Sequence, residues 1–234
     1  ERHYLELFVK KNIDGIICIT EGVDIGQDLK TLRENNDIPI ILVATELKVQ
    51  ECDSIKVDDY LGVTMAMEHL IELGHRDICY IGDLFSQGRL NTYLEILKKH
   101  KIKVNEDFIK VSNERFELCG YRCMKEILNK KNFPTAVFAA YDAIAIGATK
   151  AIYEADLNIP DDISVISVDD IDAAPYLYRG LTTVSGPISE MGNIAMNLLL
   201  KKIEDNHYKV IQHINLQPEL IIRESTAKLN ENYK

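Results

Sequence analysis

Long hydrophobic runs are missing from this sequence. No stretch approaches the roughly 18 apolar residues that span a bilayer, and no secretory leader is visible at Glu1. Positive charge is also scarce: 27 Lys and Arg stand against 37 Asp and Glu, a formal net charge of −10. A nucleic-acid backbone is gripped by clustered Lys and Arg, so DNA binding would need a separate basic module. The loops that cradle nucleotide phosphates, Gly-x-x-x-x-Gly-Lys-Ser/Thr and Gly-x-Gly-x-x-Gly, are absent. So is the Gly-x-Ser-x-Gly nucleophile elbow. The six histidines form no His-x-x-x-His pair. No nucleophile accompanies the carboxylates, so the sequence argues against an enzyme and names no catalytic residue and no cofactor. The five cysteines are odd in number, and Cys18 and Cys79 lie in apolar runs. That pattern fits buried thiols in a reducing cytosol better than a disulfide framework. Cys119 and Cys123, four apart on an expected helix, lack the two further ligands a metal would need.

What remains is ordinary for a soluble globular chain: 234 residues, 46% hydrophobic and 27% charged. Short apolar runs read as buried strands at Asp14 to Ile19, Ile38 to Val43, Ile78 to Ile81, Ala136 to Ala139 and Ile163 to Val168. Continuous rather than alternating apolar strands suit a parallel sheet covered on both faces. Helical stripes lie between them. One runs through Val63, Ala66, Met67, Leu70 and Leu73 to Gly74, behind Asp58 and Asp59 as caps. Others run through Leu90, Tyr93, Leu94 and Leu97, from Asp142 to Ala155, and from Pro187 to Leu198. His75, just past Gly74, is placed to cap free helix carbonyls. The βαβα order predicts a doubly wound α/β fold.

Ligands of such sheets bind beyond the carboxyl ends of the strands. That singles out Thr20 and Glu21, Ala44 to Glu46, Gly82 to Arg89, Tyr141 and Asp142, and Asp169 and Asp170. An acid in such a place has a plainer use as the cap of the next helix, for Asp142 and Asp58 above all.

Several strings occur in an order that resembles the LacI/GalR (lactose-repressor/galactose-repressor) family of bacterial transcription regulators. They are Val57 to Gly62, Glu68 to Ile78, Ile81-Gly82, Pro134 to Phe138, and Asp142 with Ala145 and Gly147. Ile159 to Val165, Val168 to Asp170, Leu181 to Val184, Pro187, Gly192 and Glu219 to Ser225 follow. The resemblance covers nearly the whole chain. It implies a two-lobed periplasmic-binding-protein-like type I fold, each lobe a doubly wound parallel sheet, joined by three chain crossings. Residues 1–57 and 186–213 would form the N-terminal lobe, and 58–185 and 214–234 the C-terminal lobe. It further implies a cytoplasmic homodimer, an effector such as a sugar or metabolite held between the lobes, and operator DNA bound through an N-terminal helix-turn-helix module. Family lobes open with a β-α-β unit before the point matching Glu1. The expectation is therefore that this unit and the DNA-binding module are missing here. The chain would open on the next helix, at about Tyr4 to Lys11, and the strand at Ile16 to Ile19 would gain a bare edge.

Carried over residue by residue, the resemblance places Arg89 and Asp169 at the effector: a five-donor fork and an acceptor-only carboxylate. Asp142 and Tyr141 match a further pair, although an Asn is common where Tyr141 stands, and Asp142 is open to the capping role. Phe116 lies near a stacking aromatic, one residue out of step with Gly120, so Arg115 is an alternative occupant; Phe116 is equally open to being a core residue. Glu21, Ala44 and Thr45 are the N-terminal lobe's candidates. Two other readings stand beside this one: a periplasmic sugar-binding protein of the same fold, and an α/β enzyme.

Overall fold

In the computed structural model the described residues are 11, 13–20, 38–44, 52–130, 132–205 and 207–229. Most of the helix expected near Tyr4 to Lys11 lies outside them, as do Glu21 and Thr45. The chain divides into two compact units, residues 1–58 with 187–217 and residues 59–186 with 218–234.

The first unit carries a four-stranded parallel sheet: β1 (Ile16–Thr20), β2 (Ile40–Ala44), β3 (Asp53–Val57) and β9 (His213–Leu216), in the order β1-β2-β3-β9. Ile16 stands beside Ile40 and Ile41 beside Asp53. Helix α5 (Ile188–Glu204) lays Met191, Ala195, Leu198 and Leu199 against Ile41 and Ile55. Its last buried position is a charge. Lys202 Nζ lies 3.0 Å from Asp53 Oδ2 and donates to the Val210 carbonyl at 2.7 Å, with both side chains almost wholly covered. Asp53 also accepts from the Gln212 amide at 2.9 Å. This pair fixes where the chain enters β9. Here the sequence-based boundary needs correcting: residues 214–217 belong to this unit, because β9 pairs with β3 from Ser54–His213 to Val57–Leu216.

The second unit holds α1 (Asp59–Glu72), β4 (Ile78–Asp83), α2 (Gln87–Lys99), β5 (Ile109–Ser112), α3 (Phe116–Leu128), β6 (Ala136–Ala139), α4 (Asp142–Glu154), β7 (Ser164–Val168), β8 (Thr182–Ser185) and β10 (Glu219–Ile221). Its sheet order is β10-β8-β7-β6-β4-β5, parallel except for β10 against β8. The apolar runs read from the sequence become β4, β6 and β7, whose residues are all buried, as full cover on both faces requires. Tyr80 packs between Tyr93 and Phe138, with centroids at 5.5 and 5.9 Å. The hydroxyls of these two tyrosines each find a carbonyl, Ser86 for Tyr80 and Ile78 for Tyr93, both at 2.8 Å.

Helix α1 stops where its glycine stands. Gly74 takes φ +99°, and the amides of Gly74 and His75 return to the carbonyls of Ile71 and Leu70. Those carbonyls are therefore capped by backbone and by Arg76, whose Nη1 reaches the Ile71 carbonyl at 2.9 Å. The His75 ring turns instead to Thr135 and Ala227. Helices α3 and α4 approach backbone to backbone. A Cβ on Gly120 would lie 1.9 Å from the Ile144 carbonyl oxygen, and one on Gly147 would lie 1.9 Å from that of Glu117. Only glycine fits on either side.

Candidate functional site

Four strand ends of the second unit, β4 to β7, carry the candidate side chains. Arg89 sits in the first turn of α2, where a cation gains nothing from the helix dipole. It is held there by acids. Its Nε lies 2.9 and 3.1 Å from the two oxygens of Asp59, and its Nη2 lies 2.9 Å from Asp59 Oδ1 and 3.6 Å from Asp169 Oδ1. Nη1 donates to the Ala140 carbonyl. The side chain is 11% exposed. Burial works against its charge, but Asp59 and Asp169 outweigh burial and hold its pKa above the ordinary value. The sequence suggested Asp59 as a helix cap; instead it is the first residue of α1 and the main anchor of this arginine.

Asp169 follows β7 and is 45% exposed. It takes φ +118° and Asp170 takes φ +54°, conformations that residues with a Cβ rarely adopt. Such a turn persists only where its surroundings over-determine it, and three contacts do so. Arg223 Nη2 reaches Asp170 Oδ1 at 2.7 Å, the Asp169 amide donates to the Val184 carbonyl at 2.8 Å, and the Ile171 amide donates to Asp142 Oδ2 at 2.9 Å.

Asp142 needs correcting on two counts. It does not cap α4, whose N-cap is Tyr141. Nor does it offer a surface to a ligand. It is fully buried, and Ser167 Oγ and Thr183 Oγ1 donate to its Oδ1 at 2.5 and 2.6 Å. Burial pushes its pKa up against the pull of these bonds. It acts on Asp169 through the turn it holds.

Tyr141, Arg115 and Phe116 do come together, around a residue that the sequence placed only within the strand-end stretch Gly82 to Arg89 and gave no role. Asp83, 1% exposed, accepts from Tyr141 Oη at 2.7 Å and from Arg115 Nε at 3.2 Å. Burial pushes the Tyr141 phenol up to about 12. The Arg115 guanidinium carbon lies 4.7 Å from the ring centroids of both Phe85 and Phe116. Phe116 is not a core residue: it is 50% exposed, meets Tyr141 edge-on at 6.0 Å, and has φ +56°. Phe85, 55% exposed, lies in the same stretch. Nothing in the types of Asp83 and Phe85 separates a site residue from a loop residue, so the sequence assigns neither a role. In the first unit, Ala44 closes β2 beside Thr20. Among the described residues no group of three or more His, Cys, Asp or Glu could hold a metal ion, and no helix is long and apolar enough to cross a membrane.

Comparison with known proteins agrees with this fold. The periplasmic binding protein-like domain family matches residues 67–226. The HTH-type transcriptional repressor PurR of Escherichia fergusonii is 35% identical over 233 residues, covering 97% of this chain and 67% of that protein. A LacI family transcriptional regulator from Enterococcus faecium, solved with bound ribose, matches with a TM-score of 0.86 at 27% identity, over 97% of this chain and 85% of that one. A second, from Enterococcus faecalis V583 and also with bound ribose, gives 0.83 at 26% identity, over 97% and 83%. The α/β architecture with parallel sheets and the relatives point the same way, and the chain belongs to the LacI/GalR family of transcription regulators, as an effector-binding domain of the periplasmic-binding-protein-like type.

Proposed function

We propose that this chain senses a small polyhydroxylated effector, a sugar or sugar derivative, and passes its occupancy to an operator-binding module in a cytoplasmic homodimer. The observation that supports the reading most directly is Asp169. It is a half-exposed carboxylate in a strained turn, braced by Arg89, Asp142 and Arg223, at the end of a buried strand. A carboxylate held this way can accept from two hydroxyls and rejects a ligand lacking them. Arg89 is largely committed to Asp59 and acts chiefly by fixing Asp169. Tyr141, Phe116 and Arg115 supply the aromatic end of the contact. Glu21, Ala44 and Thr45 are the first unit's proposed contributors. The fit with regulators that bind ribose favours this reading over an uptake protein or an enzyme.

The test is a thermal-shift screen of neutral sugars, ribose included, followed by calorimetry on Asp169→Asn. Loss of a hydrogen bond to a charged group, about 1.5–3 kcal/mol, raises the dissociation constant roughly 10- to 100-fold. Unchanged affinity in Asp169→Asn would overturn the site. Arg89→Ala is the poorer probe, because removing so buried an arginine strands Asp59 and costs stability as well.

A further inference from the structure

Asp83 divides its two oxygens between two tasks. Oδ1 accepts from the Phe85 amide at 3.0 Å and Ser86 Oγ at 3.1 Å, closing the turn between β4 and α2. Oδ2 reaches across to the loops after β5 and β6, to Arg115 Nε and Tyr141 Oη. The Tyr141 oxygen in turn accepts from the Phe116 amide at 3.1 Å, holding that residue in its left-handed conformation. One buried carboxylate thus sets the place of Arg115 and of the two exposed rings beside it. It also sets their charge. Arg115 is matched by Asp83 just as Arg89 is matched by Asp59 and Asp169. An anion approaching either guanidinium meets a carboxylate already seated on it, and like charges so close repel. An uncharged molecule pays no such cost and can rest an apolar face on Phe85 or Phe116.

We propose that Asp83 is a specificity-determining positioning residue, which makes these strand ends take an uncharged ligand in preference to a phosphorylated or carboxylated one. The inference rests on the effector-site reading above, and its test uses inorganic phosphate, so the two can fail separately. The full chain is titrated with phosphate, following amide and arginine Nε signals by NMR. Wild type is expected to show no saturable shift at residues 83–89 or 115–116 up to about 10 mM, a concentration at which only sites with dissociation constants well above about 10 mM stay largely empty. Asp83→Asn, which removes the carboxylate from Arg115 Nε, is expected to bind phosphate at least about tenfold more tightly than wild type. In Asp83→Asn/Arg115→Met that gain should vanish, a dependence that a general loosening of the fold would not produce. Should the asparagine variant fail to fold, Asp83→Ser keeps an acceptor for the turn, removes the charge and carries the same expectation. Phosphate binding at these residues in wild type, or a folded Asp83 variant with no gain, would overturn the proposal. A screen that finds no neutral sugar ligand would count against the effector reading and leave these outcomes to decide the role of Asp83.

Discussion

The two units bury charge in opposite ways. In the first, among the described residues, Lys202 and Asp53 form a buried ion pair inside the packing of α5 on the sheet, where it positions a strand. In the second, Arg89, Arg115, Asp59, Asp83 and Asp169 gather at the strand ends, around residues that stay partly exposed. Beneath them lies a continuous core from Val63 to Val184 with Asp142 inside it. The contrast separates charge that holds a fold from charge that shapes a surface. A buried pair with a single task is replaceable by packing. A network bridging several loops pre-organises a site, at the cost of the strain seen at Asp169, Asp170 and Phe116.

Lys202→Met is expected to have the largest effect. Removing one member of a buried pair leaves the other uncompensated and costs about 3–5 kcal/mol. Asp53 would keep only the Gln212 amide among its described partners. Hydrogen exchange should show the loss in β3, β9 and α5, with the amides of β4, β6 and β7 unchanged. Equal loss in both units would mean that the pair does not act locally. A somewhat smaller effect is expected on the other side of the comparison. Gly147→Ala places a methyl 1.9 Å from the Glu117 carbonyl, so α3 and α4 must part. Overpacking of this kind costs about 1–3 kcal/mol, readable in urea unfolding. Because α3 begins at Phe116, the same variant should disturb the Phe85–Arg115–Phe116 cluster and leave the first unit's sheet unaltered. Wild-type stability in this variant would show that the close helix approach is not needed.

Much of the second unit was legible because its strands are uninterrupted apolar runs and its first helix ends on a glycine. The strand-end rule then reached Arg89, Tyr141 and Asp169 without any structure. It could not assign partners. Asp59 and Asp83 look like caps or turn residues because their decisive contacts lie 30 to 58 positions away. Asp142 carries the same ambiguity, resolved only by Ser167 and Thr183 converging on it. In the first unit β9 escaped because its burial alternates between exposed and half-buried, with little apolar signal to read. The family resemblance supplied the order of the lobes but put this strand on the wrong side.

Acidity offers the mildest probe of the same contrast. His75 is 2% exposed in the second unit, and its Nε2 faces the Ala227 carbonyl at 3.1 Å. A carbonyl only accepts, so Nε2 carries the proton and the neutral ring's Nδ1 accepts from Thr135 Oγ1 at 3.0 Å. Burial lowers the pKa of His75, and Arg76 and His69 press in the same direction against the Ala227 carbonyl. His69, bonded to Thr226 Oγ1 at 3.0 Å, is lowered by burial too, with Glu72 opposing. In the unfolded chain both rings titrate near 6.5. As pH falls below that value, the unfolded state takes up protons that the folded state still refuses, so stability declines until the folded pKa is passed. Asp142 has the opposite sign. Its raised pKa means the folded carboxyl takes up its proton at higher pH than the unfolded one, which offsets part of the loss. The comparison is therefore made between variants: the stability lost between about pH 7.5 and about pH 5 should be smaller in His75→Gln than in wild type, measured by urea unfolding. Glutamine can donate to Ala227 without titrating. An unchanged pH dependence in His75→Gln would show that this buried imidazole does not couple the C-terminal segment of the second unit to acidity.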